Sequence, residues 1–172
     1  MTDTLEAPPT SSSEKTAGAG QLAQFLPYQL SITSNAVSAL IAERYRKRFA
    51  LKVTEWRIMA VLGDASREHE TSNAGAGMTQ RALTDATLMD KVAVNRACKV
   101  LEARGLIARA PNAADGRSHI LVLTAEGRDI HREVLPLALA TEREILADFS
   151  EAEQKRLRTM LERLRVKVEA LT

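Results

Sequence analysis

The stretch MTQRALTDATLMDKVAVNRACKVLEARGLIAR, residues 78–109, decides the fold. It reads as two short helices, about 79–86 and 91–104, parted by a few residues. Leu83 and Ala86 suit the buried face of the first. Asp90 stands where an N-cap belongs, and Lys91 opens the second helix. Val94, Ala97, Cys98 and Leu101 fall at i, i+3, i+4 and i+7, so they share the face turned to the core. The opposite side then carries Lys91, Asn95 and Arg96 near the front, with Lys99 one turn further on. Arg and Lys match guanine O6/N7, and Asn matches adenine N6/N7, in a DNA major groove. An ordinary solvated helix face would show the same charges, so this pattern alone does not decide. Thr79, Gln80 and Arg81, at the start of the first helix, sit where side chains and free N–H groups meet phosphates.

The segment that follows tips the balance. Ile107–Arg109 and Ile120–Leu123 are short, rich in branched apolar residues and joined by PNAADGRSH, which reads as a β-hairpin with a long exposed tip. Asp115-Gly116-Arg117 lies at that tip. A guanidinium there can project into a narrow minor groove, where the negative potential is enhanced. Asp115 either holds the arginine by a salt bridge or starts the turn. Two short helices followed by a basic-tipped hairpin make a winged helix-turn-helix, one helix for the major groove and the wing for the adjacent minor groove or phosphates.

At these residues the chain resembles the MarR family of bacterial transcription regulators, over essentially residues 22–172. The resemblance is carried by LKVTEWRIMAVLG (51–63), by MTQRALTDATLMDKVAVNRACKVLEARGLI (78–107) and by the wing DGRSHILVLTAEGR (115–128). It implies a homodimeric winged-helix repressor or activator on a pseudo-palindromic operator, dimerised by its terminal helices. It further implies a small effector, often aromatic or phenolic. In the family motif the recognition-helix positions are Lys91, Ala93, Asn95, Arg96 and Lys99, and the wing arginine is Arg117. Two features depart from the pattern. The polar stretch 64–77 is longer than the family's connection, and Cys98 stands where the family has an aliphatic residue. Facing inward, Cys98 reads as a small core hydrophobe. A redox-responsive regulator acting through Cys98 is the alternative, and it would need an accessible, low-pKa thiolate. The family's peroxide sensors place their cysteine near the N-terminal helices, where this chain has none.

Working outward, residues 1–20 are rich in Pro, Ser, Thr, Ala and Gly and read as a disordered tail. Residues 21–49 form an N-terminal dimerisation helix, with Pro27 near its start and Leu30, Val37, Ile41, Tyr45 and Phe49 on an apolar face. Thr54 reads as the N-cap of a short helix ending near Gly63, and 64–77 as a loop. The winged domain spans 50–123. In the C-terminal dimerisation region, 124–172, Thr124 opens a helix to about Asp148, with Pro136 a candidate bend within it. Ser150 and Glu153 form a capping box for a last helix, 151–171. The apolar stripes on the outer helices exceed what so short a chain covers by itself, which favours a two-fold dimer. The expected fold is therefore mainly α with a small hairpin wing, dimerised through both chain ends.

Five of the six aromatics, Phe25, Tyr28, Tyr45, Phe49 and Trp56, fall within residues 25–56. Ser31, Ser34, Asn35 and Ser38 share one helical face. Tyr28, Ser31, Asn35, Ser38, Tyr45 and Trp56 are the candidate effector set, since a small acid or phenol needs an apolar cleft with a few polar groups. The competing reading makes the aromatics dimer core. Arg44, Arg46, Lys47 and Arg48 suit a carboxylate or the phosphates of a thioester, a solvated face, or DNA phosphates flanking the site.

The whole-chain numbers agree. The 172 residues carry 24 Lys+Arg and 22 Asp+Glu. The largest basic excess lies in residues 79–119, with seven bases against four acids, while the first 20 residues hold one base and three acids. No run of about 18 apolar residues occurs, which argues against a membrane span. No secretory signal is evident and the lone cysteine forms no internal disulfide, so a cytoplasmic location is expected. His69, His119 and His131 are scattered, so neither metal nor cofactor is expected. With no βαβ pattern or glycine-rich phosphate loop, an enzyme is not expected. A winged-helix dimerisation or adaptor module without specific DNA binding is the other alternative.

Overall fold

The computed structural model describes residues 21–70, 77–112 and 118–171. They divide between Ala39 and Leu40 into two compact units. In the first, residues 21–24 make a helical turn and helix α1 (Leu26–Phe49) begins. The Phe25 carbonyl accepts the N–H groups of Tyr28 (3.0 Å) and Gln29 (3.1 Å), and Pro27 falls in the first turn of the helix, where no N–H is wanted. Leu22, Phe25, Leu26, Tyr28, Leu30 and Ile32 are all exposed.

The second unit holds the core. After the end of α1 come helix α2 (Val53–Glu70), strand β1 (Met78–Thr79), helices α3 (Gln80–Thr87) and α4 (Lys91–Ala103), strands β2 (Ile107–Pro111) and β3 (His119–Leu123), and helices α5 (Ala125–Ile145) and α6 (Glu151–Glu169). Leu51, Ile58, Met59 and Leu62 of the α2 region pack with Leu83 of α3, Val94 and Leu101 of α4, Leu121 and Leu123 of β3, and Val134 of α5. The sheet runs β1-β3-β2, all antiparallel, with Ile107 opposite Leu123 and Met78 opposite Leu121. Strand β1 is too short to leave a periodic signal, and the sequence reading missed it.

Several local expectations change. Helix α2 starts at Val53, not at Thr54. The Lys52 carbonyl accepts the Trp56 N–H (2.9 Å) and the buried Glu55 carboxylate accepts the Lys52 N–H (2.9 Å), so Lys52 caps the helix by its backbone. The helix also runs on past Gly63 to Glu70, and the part of the expected loop at 71–76 lies outside the described residues. Gly63 is no terminator. A Cβ there would meet the His131 Nε2 at 2.3 Å, so the glycine makes room for the imidazole of α5. Ala86, expected in the core, is exposed. Helix α5 continues through Pro136 and stops at Ile145 rather than Asp148, and α6 ends at Glu169. The capping box of Ser150 and Glu153 forms as expected.

Two joints set the position of α4. At its C-terminus Arg104 donates to the carbonyls of Phe49 (2.7 Å) and Ala50 (3.0 Å), satisfying acceptors left over at the end of α1. Thr124 caps α5 through the Gly127 N–H (3.0 Å) and also donates its hydroxyl to the Gly105 carbonyl (2.7 Å). The start of α5 is thereby fastened to the turn that follows α4.

Candidate nucleic-acid interface

Helix α4 is built by two interleaved rows. Asp90 caps it, its carboxylate accepting the Ala93 N–H (2.8 Å). Val94, Ala97, Cys98 and Leu101 are all buried, as their spacing requires. The other side is then displayed: Lys91, Arg96 and Lys99 are exposed, and Ala93 and Asn95 are half-buried. Among the described residues Lys91, Arg96 and Lys99 take part in no salt bridge, whereas Arg109 just beyond grips Glu102 with two nitrogens (2.7 and 3.0 Å). The three cations of the displayed face are therefore open to an anionic partner.

Helix α3 braces this face. Thr79 is its N-cap, the hydroxyl accepting the Ala82 N–H (3.1 Å). Gln80 donates its side-chain amide to Asn95 Oδ1 (3.3 Å), which ties the two helices and orients Asn95. Arg81 is exposed on the same first turn. The Gln80–Asn95 bond leaves no mark in the sequence spacing, because it depends on the angle between α3 and α4.

The wing stem is closed by Asn112, whose N–H donates to the Ser118 carbonyl (3.2 Å) and whose side-chain amide donates to the Ser118 hydroxyl (2.8 Å). Asp115 and Arg117 lie outside the described residues. Cys98 is fully buried, and burial, with the charge of Glu102 adding to it, pushes its thiol up to about 11. A buried thiol shifted in that direction departs from the accessible, low-pKa thiolate that a redox switch uses.

The candidate effector residues divide. Tyr28, Ser31 and Asn35 are exposed and Ser38 half-buried on the early part of α1. Tyr45 and Trp56 are core residues instead, with ring centroids 5.8 Å apart. Burial pushes the Tyr45 hydroxyl up to about 12, and neither ring offers an open wall to a ligand. Of the basic run on α1, Arg44 pairs with Glu144 (2.7 Å) and Arg48 with Glu133, which uses those two within the fold.

A groove that no sequence periodicity marks lies between α2 and α5. It encloses about 520 Å³ and is walled by Leu123 and Leu135, with Arg67, Arg128, Arg132 and His131 around it. The volume falls in the range of roughly 300–1,000 Å³ that small-molecule sites occupy. His131 is buried and stacks on Trp56, centroids 5.6 Å apart. Its pKa is held below the ordinary value of 6.5, first by burial and then by Arg67, with Asp64 opposing. The unfolded chain therefore takes up the proton more readily. The stability contribution of a neutral His131 is complete above about pH 6.5 and is lost as pH falls toward the depressed folded value. Melting temperatures taken between about pH 7.5 and pH 5 should fall. His131→Phe should flatten that fall, and parallel curves for the two proteins would contradict the assignment.

Among the described residues no cluster of His, Cys, Asp and Glu can hold a metal ion, and no helix is long and apolar enough to cross a membrane. The two helices, the three-stranded sheet and the displayed face of α4 together define a winged helix-turn-helix. Residues 51–118 match the MarR family model. Transcriptional regulator HosA of Escherichia coli O157:H7 is 34% identical over 79 residues, 46% of this chain and 58% of the relative. The chain thus spans less than two thirds of the length of the curated relatives it matches. A MarR/EmrR family transcriptional regulator from Acinetobacter sp. ADP1 has a similar crystal structure, with TM-score 0.73 and 26% identity, covering 87% of this chain and 98% of that one. A MarR-family regulator from Listeria monocytogenes, crystallised with a 26mer DNA, shares the fold at TM-score 0.69 and 19% identity, over 84% and 89% of the two chains.

Proposed function

We propose that this protein is a homodimeric, DNA-binding transcriptional regulator that represses from a pseudo-palindromic operator and is released by a small organic acid. The observation that carries the reading is the displayed face of α4: exposed Lys91, Arg96 and Lys99, in no salt bridge among the described residues, beside an oriented Asn95. Cations and an amide in that arrangement are what base edges and phosphates require. Thr79, Gln80 and Arg81 take the phosphates at the start of α3, and Arg117 serves the wing contact with Asp115 beside it. Within the described fold the sole cysteine offers no competing redox chemistry. A cytoplasmic location follows from this reading.

Dimerisation is favoured by apolar surface that a single chain leaves exposed. Leu157, Met160, Leu161, Val166 and Val168 on α6 are open to solvent, as are Phe25, Leu26 and Ile32 near the other end of the chain. Apolar area of this extent marks an interaction surface.

For the effector, the α2–α5 groove is a better fit than the aromatic set on α1 and α2. Its arginines suit a carboxylate and Leu123 and Leu135 suit an apolar ring. Trp56 is the only tryptophan of the chain and touches the groove through His131, so its fluorescence reports occupancy. Titration with aromatic acids and their thioesters should give a saturable change in that signal, and each active compound should release bound DNA. Compounds that shift Trp56 yet leave the DNA complex intact would refute the effector role, because a ligand moves an equilibrium only by its differential affinity.

A further inference from the structure

Val92 occupies the second position of α4 and is 66% exposed. A single exposed valine says little on most surfaces. This one heads a row. Val92, Asn95, Arg96 and Lys99 stand at i, i+3, i+4 and i+7, the same spacing by which Val94, Ala97, Cys98 and Leu101 build the buried face. Folding gives no reason for a valine there. Its side chain is largely in water, and a β-branched residue is a poorer helix former than alanine, lysine or glutamine. The N-terminal turn of such a helix is the part that reaches base edges, and every other member of the row carries a polar group suited to them. The one apolar feature of a major-groove edge is the C5-methyl of thymine.

We infer that Val92 reads a thymine methyl next to the base pairs met by Asn95 and Arg96, making it a specificity-determining residue of the interface. The inference rests on the DNA-binding reading above. Neither isopropyl methyl group has a strong competing use, since the side chain is exposed at the capped end of the helix.

The test uses the full chain and a duplex selected by it from random sequence, with each thymine replaced singly by deoxyuridine, which removes only the methyl. At one thymine per half-site the replacement should weaken binding about fourfold, the effect of removing one buried methyl from an apolar contact. Val92→Ala should bind the thymine duplex more weakly by a similar factor and should no longer distinguish thymine from uracil at that position. Its melting temperature should not fall below that of the parent, because the side chain is mostly in water and alanine is the better helix former. Uracil tolerated at every position, or a Val92→Ala protein that keeps the full preference for thymine, would overturn the inference while leaving DNA binding intact. A chain that selects no duplex would overturn both.

Discussion

A methyl group at position 127 is expected to destabilise the winged domain by about 3 kcal/mol or more, at the upper end of what overpacking does. The Cβ of Gly127→Ala would stand 1.9 Å from the Leu106 carbonyl oxygen. That obstacle is backbone, so no rotamer change removes it. The same carbonyl accepts the Thr124 N–H at 3.1 Å, and the Thr124 hydroxyl holds both the Gly105 carbonyl and the Gly127 N–H. To admit the methyl, α5 must back away from the turn after α4, and these bonds go with it. Urea unfolding followed by circular dichroism should show a lower midpoint with an unchanged slope. A loss below about 1 kcal/mol would mean that α5 is seated less rigidly than this contact indicates.

Arg96→Ala should leave stability alone and act on DNA. Arg96 is exposed, so its removal exposes no core. Its loss should weaken operator binding by about 1–3 kcal/mol per half-site and relax the preference at the base pair it meets. The measurement is a gel shift at fixed salt, comparing parent and variant on the selected duplex and on one with that base pair changed. Equal affinities for parent and variant would remove Arg96 from the interface. Gly127→Ala should thus act through stability and Arg96→Ala through binding.

Much of the wHTH portion was legible because it is encoded locally. The cap at Asp90, the four buried residues of α4 and the capping box of Ser150 and Glu153 depend on neighbours three to seven positions away. Where the reading erred, distant contacts decided. Gly63 looks like a helix stop until His131, 68 positions later, is seen to need the space above it. Trp56 and Tyr45 look like a ligand cleft, since aromatics serve cores and clefts alike, and only burial separates the two uses. The Gln80–Asn95 bond and the α2–α5 groove both depend on how helices cross, which no periodicity records. Val92 is hard to read for the opposite reason: a valine in a helix ordinarily faces inward, and here the register turns it outward.

The proposed role of α4, presenting a sequence-reading face to DNA, can be checked by selecting bound duplexes from a random pool and footprinting them. An enriched pseudo-palindrome is expected, with half-site centres about 10 base pairs apart, one turn of the double helix. Affinity for it should fall steeply with added salt, as counterion release requires. A pool that shows no enrichment, or binding equally tight on every sequence, would contradict it.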